Sequence, residues 1–199
     1  MIVHSTPLEC NPESAYSYHK LVHRALPFDE PPRAPGRSED IHLSGSPTAA
    51  RLRGALADVL GKEAVFEGDA MLPYLHDETR LQGLAGRADA VVAPRDAEGV
   101  ARLVSWCYAE GVPIIPRGGG TGFAGGAVPI DGGVVCSVER LNRVLAFSPE
   151  FWRINLEAGV TTARVQALAR ANGLFYPPDP GAPELSQIVG NIATNAGGP

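Results

Sequence analysis

The segment PRGGGTGFAGGAVPIDGGVV at residues 116–135 decides the fold, because six of the nine residues at 118–126 are glycine. A chain uses this much glycine where its backbone must adopt positive φ angles or approach a ligand closely. Successive amides in such a loop form a nest that binds phosphate oxygens. A flexible turn without a ligand is disfavoured, because Thr121 and Phe123 are structure-forming residues that plain linkers lack. The segment therefore predicts a phosphate-binding loop.

Neither standard phosphate-binding motif fits this loop. The pattern Gly120-x-Gly122-x-x-Gly125 has the letters of the dinucleotide fingerprint, and Glu139 stands at about the distance of its ribose-binding acid. That fingerprint must open a helix. The residues at 126–133 include a proline and three glycines and cannot continue one. A nicotinamide-binding Rossmann domain is therefore disfavoured, and the absence of G-x-x-x-x-G-K-[ST] excludes a P-loop.

Short apolar strands alternate with helices around the loop, which predicts an α/β fold. Residues 90–93 and 112–116 are apolar, and between them Asp96 caps a helix that Gly111 ends. This order predicts a βαβ unit with parallel strands. Further strands are predicted at 133–138, 143–147 and 153–157, followed by a helix from Thr161 or Thr162 to Gly173 and a short helix from a Ser186 cap to about Thr194.

Composition excludes several classes of protein. The chain has 199 residues and a net charge of −5, with no basic run, so we expect no nucleic-acid partner. We also expect no transmembrane segment and a cytoplasmic location, because no apolar run reaches about 18 residues and no signal peptide is recognisable. The three cysteines, without a C-x-x-C motif, favour reduced thiols and no metal site.

The N-terminal part is expected to be less regular. Residues 1–46 hold four of the five histidines without sustained apolar periodicity, so we expect a mobile arm and no metal site. Residues 47–86 are expected to form a helical segment that packs on the domain that follows, with a helix from Ser46-Pro47 to Gly61 and then a strand and a broken helix. The end of that broken helix is interpreted as solvated rather than catalytic. It consists of His76, Asp77 and Glu78.

Four segments in this order resemble the FAD-binding domain of the FAD-linked oxidases, the vanillyl-alcohol-oxidase or p-cresol-methylhydroxylase type. They are PRGGGTGFAGGAVPIDGGVV (116–135), LNRVLAFSPE (141–150), LEAGVTTARVQALARANGLFYPPDPGA (156–182) and SQIVGNIATNAGGP (186–199). The similarity covers residues 87–199. Within the family it is greatest to the branch of glycolate oxidase FAD subunits and of D-lactate and D-2-hydroxyglutarate dehydrogenases.

The resemblance implies two small α/β lobes with FAD between them, the second lobe incomplete at the C-terminus. Thr121 stands where members with covalently attached FAD often have a histidine, which implies non-covalent FAD. Two roles stay open for Arg117, a contact with a phosphate of FAD and a structural ion pair. Two roles also stay open for Gly190, close packing of its helix and close approach of a ligand. Asp179 is assigned to shaping its loop through side-chain hydrogen bonds to the backbone. The implied cofactor-binding residues are Pro116, Arg117, Gly118, Gly119, Gly120, Thr121, Gly122, Gly125, Gly126, Pro178, Asp179, Ser186, Gly190, Asn191, Ala193, Thr194, Asn195, Gly197 and Gly198.

The implied function is that of the FAD-binding portion of an oxidoreductase that acts on a small 2-hydroxy acid. No residue present matches the family's catalytic positions, so no catalytic residue is named. We expect the chain to be a fragment that lacks the substrate domain and is inactive alone. The alternative is a non-catalytic remnant or interaction module that needs a partner chain.

Overall fold

A computed structural model describes residues 49–198. The expected arm at 1–46 and the Ser46-Pro47 helix start lie outside these residues. The helices are α1 (Ala49–Leu60), α2 (Ala97–Glu110), α3 (Thr162–Ala171) and α4 (Ile188–Thr194). The strands are β1 (Val65–Phe66), β2 (Ala90–Val92), β3 (Ile114–Arg117), β4 (Val134–Ser137), β5 (Val144–Ser148) and β6 (Arg153–Leu156).

The local signals for α2 are confirmed. Asp96 accepts a hydrogen bond from the Gly99 N–H at 2.7 Å, as an N-cap should, and Gly111 ends the helix with φ +65°. By contrast, the predicted broken helix after β1 consists of 3-10 turns at Gly68–Tyr74 and Glu78–Gln82. Pro73 lies inside the first of them, where its missing N–H prevents a regular α-helix.

The main sheet has four strands in the order β1-β2-β4-β3. The strands β2 and β3 are parallel, as predicted, but they are not neighbours, because β4 lies between them and pairs with both. All four residues of β4 are buried, which accounts for its apolar run at 134–136 in the middle of the sheet. Since β2, β4 and β3 are parallel, the glycine-rich segment leaves the sheet at its carboxyl edge, where α/β proteins commonly bind ligands.

Two hydrophobic clusters correspond to two small lobes, and the α/β fold class is confirmed. The first joins Leu52 and Leu56 of α1 to Leu103 and Cys107 of α2 and to the sheet. The second is centred on Val160, Val165 and Ile188, beside the antiparallel pair β5 and β6. Its outer side carries an aromatic groove of about 420 Å³ lined by residues that include Trp152, Phe175 and Tyr176.

The buried thiols have a packing role. Cys107 and Cys136 are both buried in the first cluster and form no disulfide. Burial raises the pKa of each thiol to about 11, so neither is a nucleophile at neutral pH. Within residues 49–198 no helix is long and apolar enough to cross a membrane, and no three potential metal ligands cluster.

Candidate functional site

The glycine loop, residues 118–126, begins where β3 ends and lies against the segment that leads into α4. An added Cβ at Gly119 would overlap the main-chain oxygen of Leu185. At Gly118, an added Cβ would lie 3.4 Å from Cγ1 of Val189. The structure therefore brings together two segments implied as cofactor-binding, and the approach at Gly119 is one that only glycine permits.

The loop leaves a row of main-chain donors free. The N–H groups from Gly119 to Ala124 donate no hydrogen bond to any atom of residues 49–198. Gly120 has φ +68°, a conformation that residues with side chains rarely adopt. Consecutive free N–H groups in a loop of this kind are the donors of an anion-binding nest. No helix opens at Gly125, which rules out the dinucleotide fingerprint.

Arg117 lies beneath the loop, only 7% exposed. Its Nη1 donates to the His76 carbonyl at 2.7 Å and its Nη2 to the Pro73 carbonyl at 2.8 Å. The guanidinium also lies 5.6 Å from the centre of the Tyr74 ring. Desolvation lowers the pKa of Arg117, against the opposing influence of Asp77 and other neighbours. The side chain thus holds the turn at 73–76 under the loop and forms no salt bridge within residues 49–198, while its phosphate contact stays a prediction.

The interpretation of the 76–78 segment as a solvated helix end is wrong for Asp77, which is 3% exposed. One carboxylate oxygen accepts from the N–H of Thr79 at 2.9 Å and from its hydroxyl. The other accepts from the N–H of Gly125 at 3.0 Å. In addition, the N–H of Glu78 donates to the carbonyl of Gly122 at 3.1 Å. Sequence reasoning missed this contact because Asp77 and Gly125 are 48 positions apart.

The prediction that Ser186 caps α4 is also wrong. The capping position is Gln187, which makes no side-chain cap hydrogen bond. The first helical N–H groups, those of Ile188 and Val189, donate instead to the carbonyls of Val160 and Ala158 at 3.0 and 3.1 Å. Because these main-chain carbonyls serve the helix start, no capping side chain is needed, and the cap offers no anion site.

Ser186 and Asn191 are buried and bonded to each other, which turns both toward the protein interior. The hydroxyl of Ser186 donates to the side-chain oxygen of Asn191. The side-chain nitrogen of Asn191 donates to the hydroxyl of Thr162, at the first residue of α3, at 2.6 Å. The network fixes α4 on the start of α3, and Thr162 is a further supporting residue that the motifs did not single out.

The outer face of α4 is open. An added Cβ at Gly190 or Gly197 would meet no atom within 4 Å, so helix packing does not account for Gly190. The residues Ala193, Thr194 and Asn195 are exposed. Apart from Ile192, which is also exposed, the exposed residues here are small or polar, and the glycine loop reaches the segment at its start. Main-chain atoms of α4, like those of the glycine loop, are therefore accessible to a ligand.

The Pro178–Asp179 segment joins the end of this region. The N–H of Asp179 donates to the carbonyl of Gly197 at 2.8 Å. The Pro178 carbonyl accepts from the side-chain nitrogen of Gln166 at 2.9 Å. We expected the Asp179 carboxylate to bond the backbone, but its contact is with the side chain of Gln166 at 3.4 Å. The loop is therefore held by its main chain, and the carboxylate stays at the exposed surface.

Tyr74 gives a pH-dependent contribution to stability. Burial, followed by a 2.7 Å hydrogen bond from its hydroxyl to Glu139, raises the pKa of Tyr74 above its ordinary value of 10.0. The protonated form is the one favoured by folding, so this contribution is present below pH 10 and is lost as pH rises above it.

We therefore expect the free energy of unfolding of the wild type to fall more steeply between about pH 9 and 11 than that of Tyr74→Phe. The measurement is urea unfolding at a series of pH values. The thiols of Cys107 and Cys136 titrate in both proteins, so the difference in slope isolates Tyr74. Equal slopes would contradict the assignment.

Comparison with known proteins identifies relatives of the region that holds the site. A family described as "FAD binding domain" matches residues 88–199. The glycolate oxidase subunit GlcD of Bacillus subtilis (strain 168) is 37% identical over 145 residues, which are 72% of this chain and 30% of that protein. The D-lactate dehydrogenase of Anaerostipes hadrus is 38% identical over 125 residues, which are 63% of this chain and 26% of that protein.

A solved structure of p-cresol methylhydroxylase with substrate bound shares the fold. The TM-score is 0.60 at 24% sequence identity, covering 72% of this chain and 28% of that chain. The chain thus spans about 30% of the length of the proteins it matches.

Proposed function

The chain belongs to the FAD binding domain family, and on that premise we propose that it is the FAD-binding portion of an oxidoreductase that acts on a small 2-hydroxy acid. Membership confirms the resemblance drawn from the motifs and makes FAD the cofactor. We propose further that FAD is held non-covalently, because Thr121 occupies the position where members with covalently attached FAD often have a histidine.

The free N–H groups from Gly119 to Ala124 are the observation that carries this proposal. The pyrophosphate of FAD has anionic oxygens that need several donors, and the loop offers consecutive donors without requiring a positively charged side chain. Arg117 has its guanidinium bonded to carbonyls beneath the loop. We assign Arg117 the role of supporting these donors, while the amides from Gly119 to Ala124 make the contact.

The open face of α4 supplies the second wall of the proposed site. Gly190 and Gly197 leave space beside the backbone, and the exposed residues 193–195 border that space. Small residues on one side and free amides on the other suit a ligand that combines flat rings with a pyrophosphate. Asp179 is exposed, so its charge stays in water.

The substrate class is supported by the names of the relatives, a glycolate oxidase subunit and a D-lactate dehydrogenase. Both names point to 2-hydroxy acids, as does the resemblance to D-2-hydroxyglutarate dehydrogenases. The chemistry that FAD would supply when bound is to accept a hydride equivalent from the hydroxyl-bearing carbon of the substrate. This chain's residues hold and orient the cofactor. The base that removes the hydroxyl proton must lie within hydrogen-bond reach of the substrate, and we assign it to no residue of this chain.

The proposal is tested by thermal unfolding of the purified chain with increasing FAD and, in parallel, riboflavin, which lacks the phosphates. We expect FAD to raise the melting temperature in a concentration-dependent way and riboflavin to raise it much less. Acid precipitation should release all flavin into the supernatant. No stabilisation by FAD would contradict the function, and flavin that stays with the precipitated polypeptide would contradict non-covalent attachment.

A further inference from the structure

We propose that Asp77 is a positioning residue that presets the glycine loop in its cofactor-binding form. The inference rests on the proposed function, since it assigns the loop to FAD. It concerns a residue outside the family motifs quoted above, on a 3-10 turn that precedes the main sheet's second strand. Asp77 touches neither the cofactor nor a substrate in this account, and acts through the backbone of Gly125.

Both oxygens of the buried Asp77 carboxylate accept hydrogen bonds. One oxygen is bonded to the N–H and hydroxyl of Thr79, which locks the turn on which Asp77 lies. The other is bonded to the N–H of Gly125 at 3.0 Å. A carboxylate has two oxygens that only accept hydrogen bonds, so it can bind donors on two sides at once. Hydrogen bonds to an ionised acceptor are roughly twice as strong as neutral ones.

Gly122 and Gly125 are bonded to two adjacent residues, Glu78 and Asp77. The N–H of Glu78 donates to the carbonyl of Gly122, 3.1 Å away, while Asp77 binds the N–H of Gly125. The turn at 122–125 is therefore fixed at both ends by one short segment. The free donors from Gly119 to Ala124, which have no partner within residues 49–198, lead into this turn and continue within it. Because the turn is already fixed in the free protein, the donors lose less conformational entropy when they bind a ligand.

The buried carboxylate of Asp77 has a positively charged neighbour, Arg117. The turn that carries Asp77 is held by Arg117 through the carbonyls of Pro73 and His76. The Asp77 charge and the Arg117 charge lie close enough to influence each other, and Asp77 counteracts the effect of burial on the pKa of Arg117. A buried carboxylate without a positive neighbour would be costly. Arg117 therefore supports Asp77, and Asp77 supports the loop.

The test compares Asp77→Asn with the wild type and with Asp89→Asn. Asparagine keeps the shape of the side chain but replaces one acceptor by a donor, which would face either Gly125 or Thr79. Asp89 is the matched control, because its carboxylate accepts the N–H of Gly133 at 2.7 Å in another loop. Two quantities are measured: hydrogen exchange of residues 118–126 without FAD, and the Kd for FAD.

We expect Asp77→Asn to speed exchange of the Gly125 amide and to raise the Kd for FAD by about tenfold or more, with Asp89→Asn leaving both near wild-type values. Unchanged loop exchange and Kd in Asp77→Asn would overturn the proposal. If that variant does not fold, the wild type decides, because its Gly125 amide must exchange more slowly than the free amides from Gly119 to Ala124. Equal rates would overturn it. Should the wild type bind no FAD, the proposed function fails, while the exchange comparison still judges the role of Asp77 in the loop.

Discussion

Gly119→Ala is expected to weaken FAD binding on the order of 100-fold. The added Cβ would overlap the Leu185 carbonyl oxygen, which is main chain and cannot rotate away. Either the glycine loop or the segment before α4 must shift, and each is a wall of the proposed site. The Kd is measured by quenching of flavin fluorescence, with circular dichroism to establish that the variant is folded.

Gly54→Ala is the matched control for that substitution. Gly54 lies on the exposed side of α1, and an added Cβ there would meet nothing within 4 Å. We expect an unchanged Kd and a gain in stability of up to about 1 kcal/mol, because alanine is favoured over glycine in a helix. A folded Gly119→Ala protein that binds FAD as tightly as Gly54→Ala would contradict the packing described for the loop.

Asn191→Ala is expected to lower the free energy of unfolding by about 2–4 kcal/mol. The substitution removes the acceptor of the Ser186 hydroxyl and the donor to the Thr162 hydroxyl at once, and leaves the Thr162 hydroxyl only its longer bond to the Ser186 carbonyl at 3.4 Å. Both groups are buried, so no bulk water replaces the lost bonds without a rearrangement of α4 on α3. Urea unfolding measures the change.

Asn172→Ala controls for the loss of an asparagine side chain. Asn172 is exposed at the end of α3 and bonds the Leu168 carbonyl at 2.9 Å. We expect a loss within about 0.5 kcal/mol, as for most surface substitutions. If Asn191→Ala were no more destabilising than Asn172→Ala, the buried network would have no structural role, and Asn191 would be free to face the cofactor directly.

Features determined by neighbouring residues were predictable from the sequence. Asp96 and Gly111 bound α2 because capping and the left-handed helix end depend on local backbone geometry. The glycine loop was recognisable for the same reason, since its composition reflects what its own backbone must do. The α/β class followed from the alternation of these elements.

Features determined by distant contacts were not predictable. Asp77 has the local pattern of a solvated turn, and its Asp-x-Thr spacing indicates only the bond to Thr79. Nothing local reveals that Gly125 arrives 48 positions later. The predicted Ser186 cap was wrong for the same reason. The first N–H groups of α4 bond to the carbonyls of Val160 and Ala158, which are distant in sequence. The place of β4 between β2 and β3 likewise depends on long-range pairing.

The central claim is that the glycine loop and the open face of α4 form one FAD site, and an amide NMR titration of the chain with FAD tests it most directly. If the claim holds, the amide signals of Gly119 to Ala124 and of Gly190 and Gly197 shift together, with one common saturation curve. It would be contradicted by shifts confined to the aromatic groove around Trp152 and Phe175, or by a titration in which the loop amides do not move.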